Sequence, residues 1–120
     1  MLRRLMLLSM LVFSFGTSSV VAQDSKIVLI NVFEVPAAQE VDVFRIWTQS
    51  KEFLEKQPGY VLTRLHKNID SDGKFRFINV AEWASPQQFQ AAMKAMNESA
   101  VPRMPAEVRF TPGLFKVVAQ

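Results

Sequence analysis

Two asparagines, Asn31 and Asn79, lie at matching positions of a six-residue pattern that this chain uses twice. The pattern is Ile-Asn-Val-Phe-Glu-Val at residues 30–35 and Ile-Asn-Val-Ala-Glu-Trp at residues 78–83, and a proline follows each copy. Each copy begins a strand–helix–strand unit. In a chain built from two such units, the first strands of the two units lie side by side at the centre of the sheet. An amide there can hydrogen-bond a substrate oxygen, or the two amides can satisfy each other, since buried amides need partners.

His66 is the only histidine, and histidine is the side chain best suited to proton transfer near neutral pH. Strand alternation places it on the same side as Arg64, which could help to hold an anion. The alternative is an exposed histidine on an edge strand close to a hairpin turn. Because the chain has one histidine and no cysteine, we expect no metal site.

Aromatic residues could form the flat apolar walls of a binding pocket. The candidates lie on the predicted strands and the first helix: Phe33, Trp47, Phe77 and Trp83. For Trp83 a core position at the start of the second helix is favoured over substrate contact, because aromatic side chains mainly contribute to packing. Glycine-rich phosphate loops and serine elbows do not occur in the sequence, so we expect no nucleotide or flavin cofactor.

The elements that must position these residues follow from hydrophobic periodicity and from the proline and glycine positions. Ser85 is a good helix N-cap and Pro86 a good first helical residue. A proline and glycine at 112–113 interrupt the last strand and indicate an edge position. The pattern predicts strands at 27–35, 60–67, 75–83 and 108–118, and helices at 36–57 and from residue 86. This order predicts an α+β, ferredoxin-like βαββαβ fold with a four-stranded antiparallel sheet.

The first predicted strand is apolar on both faces, with Val28, Ile30 and Val32 on the side opposite Asn31. A two-layer domain covers only one face of its sheet with helices. We therefore expect a second copy of the chain to cover the other face, which makes the protein a homodimer.

The first 22 residues have the three parts of a secretory signal peptide: a basic start, an apolar run of about eleven residues and a small-residue exit. We expect cleavage after Ala22, leaving a domain at 23–120 that is secreted or periplasmic and does not stay in the membrane. The alternative is a retained anchoring helix. The chain has 14 basic residues, of which Arg3 and Arg4 are removed with the leader. The remaining domain then has 12 basic and 11 acidic residues. This near balance argues against nucleic-acid binding.

The element order and several local strings resemble the antibiotic biosynthesis monooxygenase family, whose members are dimeric α/β barrels. The strings are Leu-Ile-Asn-Val-Phe at 29–33, Pro-Gly-Tyr at 58–60, Glu-Trp at 82–83 followed by Ser85, Phe89 and Ala92, and the segment 112–118. The resemblance implies a pocket between helices and sheet, and cofactor-free oxygenation of phenols or quinols as one family activity. For such chemistry we take Asn31 and His66 as the catalytic candidates, and Phe33, Trp47, Arg64, Phe77, Asn79 and Trp83 as the candidate residues of the substrate pocket.

The same family contains haem-degrading enzymes with an Asn-Trp-His site. Asn31 matches the asparagine, but Ala92 stands where the helix tryptophan is expected, and no histidine follows it. The resemblance therefore favours a cofactor-independent monooxygenase for a small phenolic or quinol-like aromatic substrate over haem degradation. The alternative is a non-catalytic dimeric module of the same fold that binds a small ligand or a partner.

Overall fold

The computed structural model describes Gly16 and residues 26–120. The predicted signal peptide and its cleavage position lie outside these residues, apart from Gly16. Within the described part of the chain, no helix is long and apolar enough to cross a membrane.

Four strands form one antiparallel sheet: β1 (Ile27–Glu34), β2 (Tyr60–Lys67), β3 (Phe77–Trp83) and β4 (Arg109–Phe115). Their order across the sheet is β2-β3-β1-β4, so the two strands that carry the repeated pattern are the central ones. The sheet is open, with β2 and β4 at its edges. The predicted ferredoxin-like βαββαβ fold is confirmed.

Two helices cover one face of this sheet. A single 3₁₀ turn (Ala37–Gln39) leads into α1 (Glu40–Leu54), and α2 spans Pro86–Asn97. Ser85 caps α2 as predicted, because its hydroxyl accepts a hydrogen bond from the backbone N–H of Gln88 at 3.2 Å.

The last strand differs from the prediction. β4 runs through Pro112 and Gly113 without interruption, and Pro112 pairs in register with Asn31 of β1. A proline is tolerated there because β4 is an edge strand, whose outward side needs no ladder donor. The edge position is confirmed, and the interruption is wrong.

The helix-facing side of the sheet carries two apolar clusters. One gathers Ile27, Leu29, Ala81, Trp83 and Ala92. The other gathers Phe33, Val43, Phe77 and Val108. The central strands place Asn31 and Asn79 between these clusters, at the point where the two halves of the core separate.

The opposite face of the sheet is apolar at its centre, and no layer covers it among the residues that the structure describes. Val28, Ile30 and Val32 are only partly buried, and Ile78 and Phe115 are 37% and 51% exposed. This is the face that the sequence predicts a second copy to cover, and dimerisation stays a prediction.

An ion-pair cluster ties the β2–β3 hairpin to the start of α1. Glu40 pairs with Lys67 and, at 3.6 Å, with Nε of Arg76. The hydrogen bond from Lys67, together with the positive charges of Lys67 and Arg76, lowers the pKa of Glu40 below its ordinary value. Arg76 also donates to the hairpin carbonyls of Asn68 and Ser71, which fixes the hairpin against the helix.

Candidate functional site

A cavity of about 640 Å³ lies between the helices and the covered face of the sheet. Its floor is the centre of the sheet, where β1 and β3 supply Asn31 and Asn79. Trp47 of α1 and Met93 of α2 line it from the helices, and the loop after α2 contributes Arg103. The lining is mostly apolar, which suits a flat organic ligand.

Asn31 and Asn79 face each other across the central strand pair. Directly opposed residues of an antiparallel pair point to the same face, so both amides point toward the cavity. No hydrogen bond joins these two described side chains, although the sequence offered mutual pairing as one explanation for them. That explanation is wrong, because other groups engage Asn79.

The amide of Asn79 is held by two donors. Its Oδ1 accepts a hydrogen bond from the Thr63 hydroxyl at 2.9 Å and one from the Trp47 indole Nε1 at 3.3 Å. An indole nitrogen can only donate, so the atom facing it must be the amide oxygen. The orientation of Asn79 is thereby fixed, and its Nδ2 group is left as the donor.

Asn31 has the opposite character. Its Oδ1 is buried and has no hydrogen-bond partner. Leaving a buried acceptor unpaired costs about 1–3 kcal/mol, so native structures retain such groups where a ligand or water can satisfy them. The floor of the cavity thus contains one buried, unpaired amide oxygen beside one oriented amide group.

The aromatic candidates separate into two groups. Phe33, Trp47 and Trp83 line the cavity as the sequence predicts. Trp83 is also 1% exposed and makes edge-to-face contacts with Tyr60 and Phe89, so it is a core residue as well. Phe77 does not line this cavity; it lies in the second core cluster and borders a separate hollow near the start of α1.

His66 and Arg64 are not brought to the cavity either. Their registers with β3 are His66 to Ile78 and Arg64 to Val80, whereas Leu65 pairs with Asn79. Both side chains therefore lie on the face opposite Asn31, which corrects the expectation that they share a pocket with it. The His66 ring contacts the carbonyl of Ile78 at 3.2 Å. A catalytic role for His66 stays a prediction, but it would require chemistry on the other face.

An irregularity in β2 explains part of this difference. The register shifts between Tyr60 and Leu62, so Tyr60 pairs with Trp83 and faces the helices. Simple alternation instead gave Tyr60 the same side as His66. Because a bulge adds one residue, it reverses the facing of everything on one side of it.

Most lining residues escaped the sequence reasoning, and Thr63, Lys51, Arg103 and Tyr60 are among them. Thr63 carried a usable signal, since it is a polar residue at the middle of a strand. Lys51 and Arg103 carried none, because isolated basic residues on a helix and in a loop read as surface.

Metal ligands are not concentrated anywhere in the described part of the chain. Among residue 16 and residues 26–120, no three histidine or acidic side chains lie close enough together to hold a metal ion. The polar groups of the cavity are amides, hydroxyls and two cations, which can bind and orient an organic molecule.

Comparisons with known proteins agree with this architecture. A family model described as antibiotic biosynthesis monooxygenase matches residues 26–98. A structure from Shewanella loihica PV-4, provisionally described as a monooxygenase, is 31% identical with a TM-score of 0.72. The match covers 80% of this chain and 97% of that one. Among curated proteins, none matches the sequence significantly.

Two further structures are similar in fold. SnoaB from Streptomyces nogalater, described as a cofactor-independent oxygenase, is 20% identical over 80% of this chain and 96% of its own, with a TM-score of 0.63. MhuD from Mycobacterium tuberculosis, described as a haem degrader with two haems in its active site, is 26% identical over 78% and 97%, with a TM-score of 0.60. Relatives of this fold thus differ in what they act on.

Proposed function

This chain belongs to the antibiotic biosynthesis monooxygenase family, and on that premise we propose that it is a cofactor-independent monooxygenase of a small phenolic or quinol-like aromatic molecule. The observation that carries the proposal is the unpartnered Oδ1 of Asn31 beside the oriented amide of Asn79, at the floor of an apolar cavity. A phenolic hydroxyl supplies the donor that Asn31 lacks.

The reaction balances without a cofactor. A phenol and O₂ give a quinone and water. The phenol loses the hydrogen of its O–H group and one ring C–H hydrogen. One oxygen atom of O₂ becomes bonded to a ring carbon, and the other leaves as water. The substrate supplies all the electrons, and the proton lost from the hydroxyl ends in that water. The protein need only bind the ring, favour the developing oxyanion and exclude bulk water.

The two amides divide these tasks. Asn31 Oδ1 accepts the substrate O–H and places the reacting oxygen over the sheet centre. Asn79 cannot rotate freely because Trp47 and Thr63 hold its oxygen, so its Nδ2 group is a preorganised donor for the anion that forms. Phe33 and Trp47 supply flat walls that keep the ring in place and the site dry.

Oxygen uptake with a panel of hydroquinones and polycyclic phenols tests the proposal. Asn31→Ala should lower the turnover rate by about 10²-fold while affecting substrate binding less, because the amide positions the reacting oxygen. Gln90→Ala, an exposed position on α2 outside the cavity, is the matched control and should retain the full rate. Uptake that never exceeds autoxidation for any substrate would refute the enzyme proposal.

A non-catalytic binding module is the second candidate, and one observation favours it. Among the described residues that line the cavity, none is a histidine, an aspartate or a glutamate. No conventional general base among them therefore faces the ligand. Saturable binding of the same phenols without oxygen uptake would support this alternative.

We also propose that the working form is an exported homodimer. The apolar outer face of the sheet supports pairing of two copies, and the amino-terminal pattern of the sequence supports export to the periplasm or outside. Sedimentation of the chain beginning at Gln23, and mass spectrometry of its amino terminus after expression with the leader, test these two points.

A further inference from the structure

We propose that the ligand carries a carboxylate as well as its aromatic ring, and that Arg103, assisted by Lys51, recognises it at the cavity mouth. This inference rests on the proposed function for the aromatic part of the ligand. It adds a binding site for an anion and narrows the substrate class to hydroxyaryl carboxylates.

The charges around the cavity are all of one sign. Among the described residues that line it, Lys51 and Arg103 are the two basic ones, and no aspartate or glutamate accompanies them. An apolar cavity whose charged groups are two cations is electrostatically complementary to an anionic ligand.

Neighbouring acids do not neutralise this charge. Lys51 pairs with Glu55 at 3.7 Å across one helical turn, but both side chains are more than a third exposed, so the pair is weak. Arg103 has no ion pair within the described chain. Elsewhere, by contrast, Lys26 pairs with Glu82 at 3.1 Å, and Lys67 of the hairpin pairs with Glu40.

The position of Arg103 places the anion at the entrance. Arg103 is exposed and lies in the loop between α2 and β4, whereas Asn31 and Asn79 lie on the floor formed by the central strands. A ligand that spans the cavity therefore directs its hydroxyl toward the amides and its charge toward solvent. A guanidinium matches a carboxylate with two parallel hydrogen bonds, which favours that anion at this position.

Calorimetric titration with matched ligands tests the inference. The ligands are a naphthol with a carboxylic acid on the far ring, the methyl ester of that acid, and unsubstituted naphthol. The acid should bind at least about tenfold more tightly than the ester, because it adds a charge-assisted pair to the ring contacts that both ligands make. Raising the salt concentration should weaken the binding of the acid and leave the binding of the ester unchanged.

Arg103→Gln should bring the acid and the ester to nearly equal affinity, and Lys51→Gln should reduce the difference in part. Arg45→Gln is the matched control, because Arg45 is an exposed arginine on α1 outside the cavity lining, and this variant should keep the preference. Equal binding of acid and ester to the unaltered protein, or a preference that survives Arg103→Gln, would overturn the inference. No binding of any of the three would overturn it too.

The outcome is separable from the proposed function. A preference for the acid over the ester that depends on Arg103, in a protein that takes up no oxygen, would support the anion site and refute the monooxygenase proposal. Oxygen uptake with uncharged naphthols but no acid preference would do the reverse.

Discussion

Replacing Asn79 with alanine should destabilise the fold, because it removes the acceptor shared by Thr63 and Trp47. Both donors lie in a partly buried setting, and neither has a second acceptor in the described structure. The variant would leave an indole N–H and a hydroxyl facing the space vacated by the amide.

The two hydrogen bonds contribute unequally. The Thr63 bond, at 2.9 Å, lies within the usual range for a hydroxyl donor, whereas the Trp47 bond, at 3.3 Å, is longer than is typical of N–H donors. A hydrogen bond contributes about 0.5–1.5 kcal/mol net, and an orphaned buried donor costs more than that. We therefore expect Asn79→Ala to lower the free energy of unfolding by about 1–3 kcal/mol, with Thr63 accounting for the larger share.

Urea unfolding at a fixed protein concentration measures this change and avoids a shift caused by dimerisation. A double-mutant cycle with Thr63→Val should give a coupling energy of about 0.5–1.5 kcal/mol, since the two residues share one bond. Asn31→Ala is the matched control: its oxygen has no partner to lose, so the free energy of unfolding should stay within about 1 kcal/mol or rise. Equal losses from Asn31→Ala and Asn79→Ala, or additive effects of Thr63 and Asn79, would refute the reasoning.

Three other outcomes are expected. Val32→Asp should convert the proposed dimer to a monomer in light scattering and lower stability, because a charge would be buried on the apolar outer face; a variant that still dimerises would contradict this. Haem mixed with the protein and a reductant should keep its absorption band, since Ala92 replaces the helix tryptophan of haem degraders; protein-dependent bleaching would overturn that expectation. Glu40→Gln should lower the free energy of unfolding at pH 7 by up to ~1 kcal/mol. The lowered pKa of Glu40 means that ionised Glu40 stabilises the fold above the free glutamate value of 4.5, and that this contribution disappears as the pH falls through the lower folded value. The difference from wild type should therefore shrink below about pH 4, whereas Glu52→Gln, an exposed change on the same helix, should show no such trend; a pH-independent loss would count against the ion-pair explanation.

The elements were predictable because each depends on local signals. The second strand was predicted at its observed limits, 60–67, and the second helix was predicted from Ser85 and Pro86, which cap and begin it. The repeated pattern placed Asn31 and Asn79 on adjacent central strands, and the register confirms that they are direct partners. Three predicted strands were too long: the first extended to 35, the third began at 75, and the last covered 108–118. A strand ends where its pairing with a neighbouring strand ends, and the residues themselves do not show that point.

The side chains that share a cavity were predictable only in part. Phe33, Trp47 and Trp83 line it as expected, while Phe77 borders a separate hollow near the start of α1. No rule of strand alternation could reveal that the Asn79 partners would be Thr63 and Trp47, from a different strand and a helix.

Sequence alone determined the fold, the central position of the two amides and the apolar second face, because hydrophobic periodicity and the chain order fix those features. Tertiary structure alone decided which face each residue of β2 presents, since one bulge after Tyr60 reverses the alternation and leaves His66 and Arg64 away from Asn31. It also decided that Lys51 and Arg103 meet at one cavity. Their shared place at the cavity depends on how a helix and a distant loop pack, and residues so far apart in the chain carry no local sign of it.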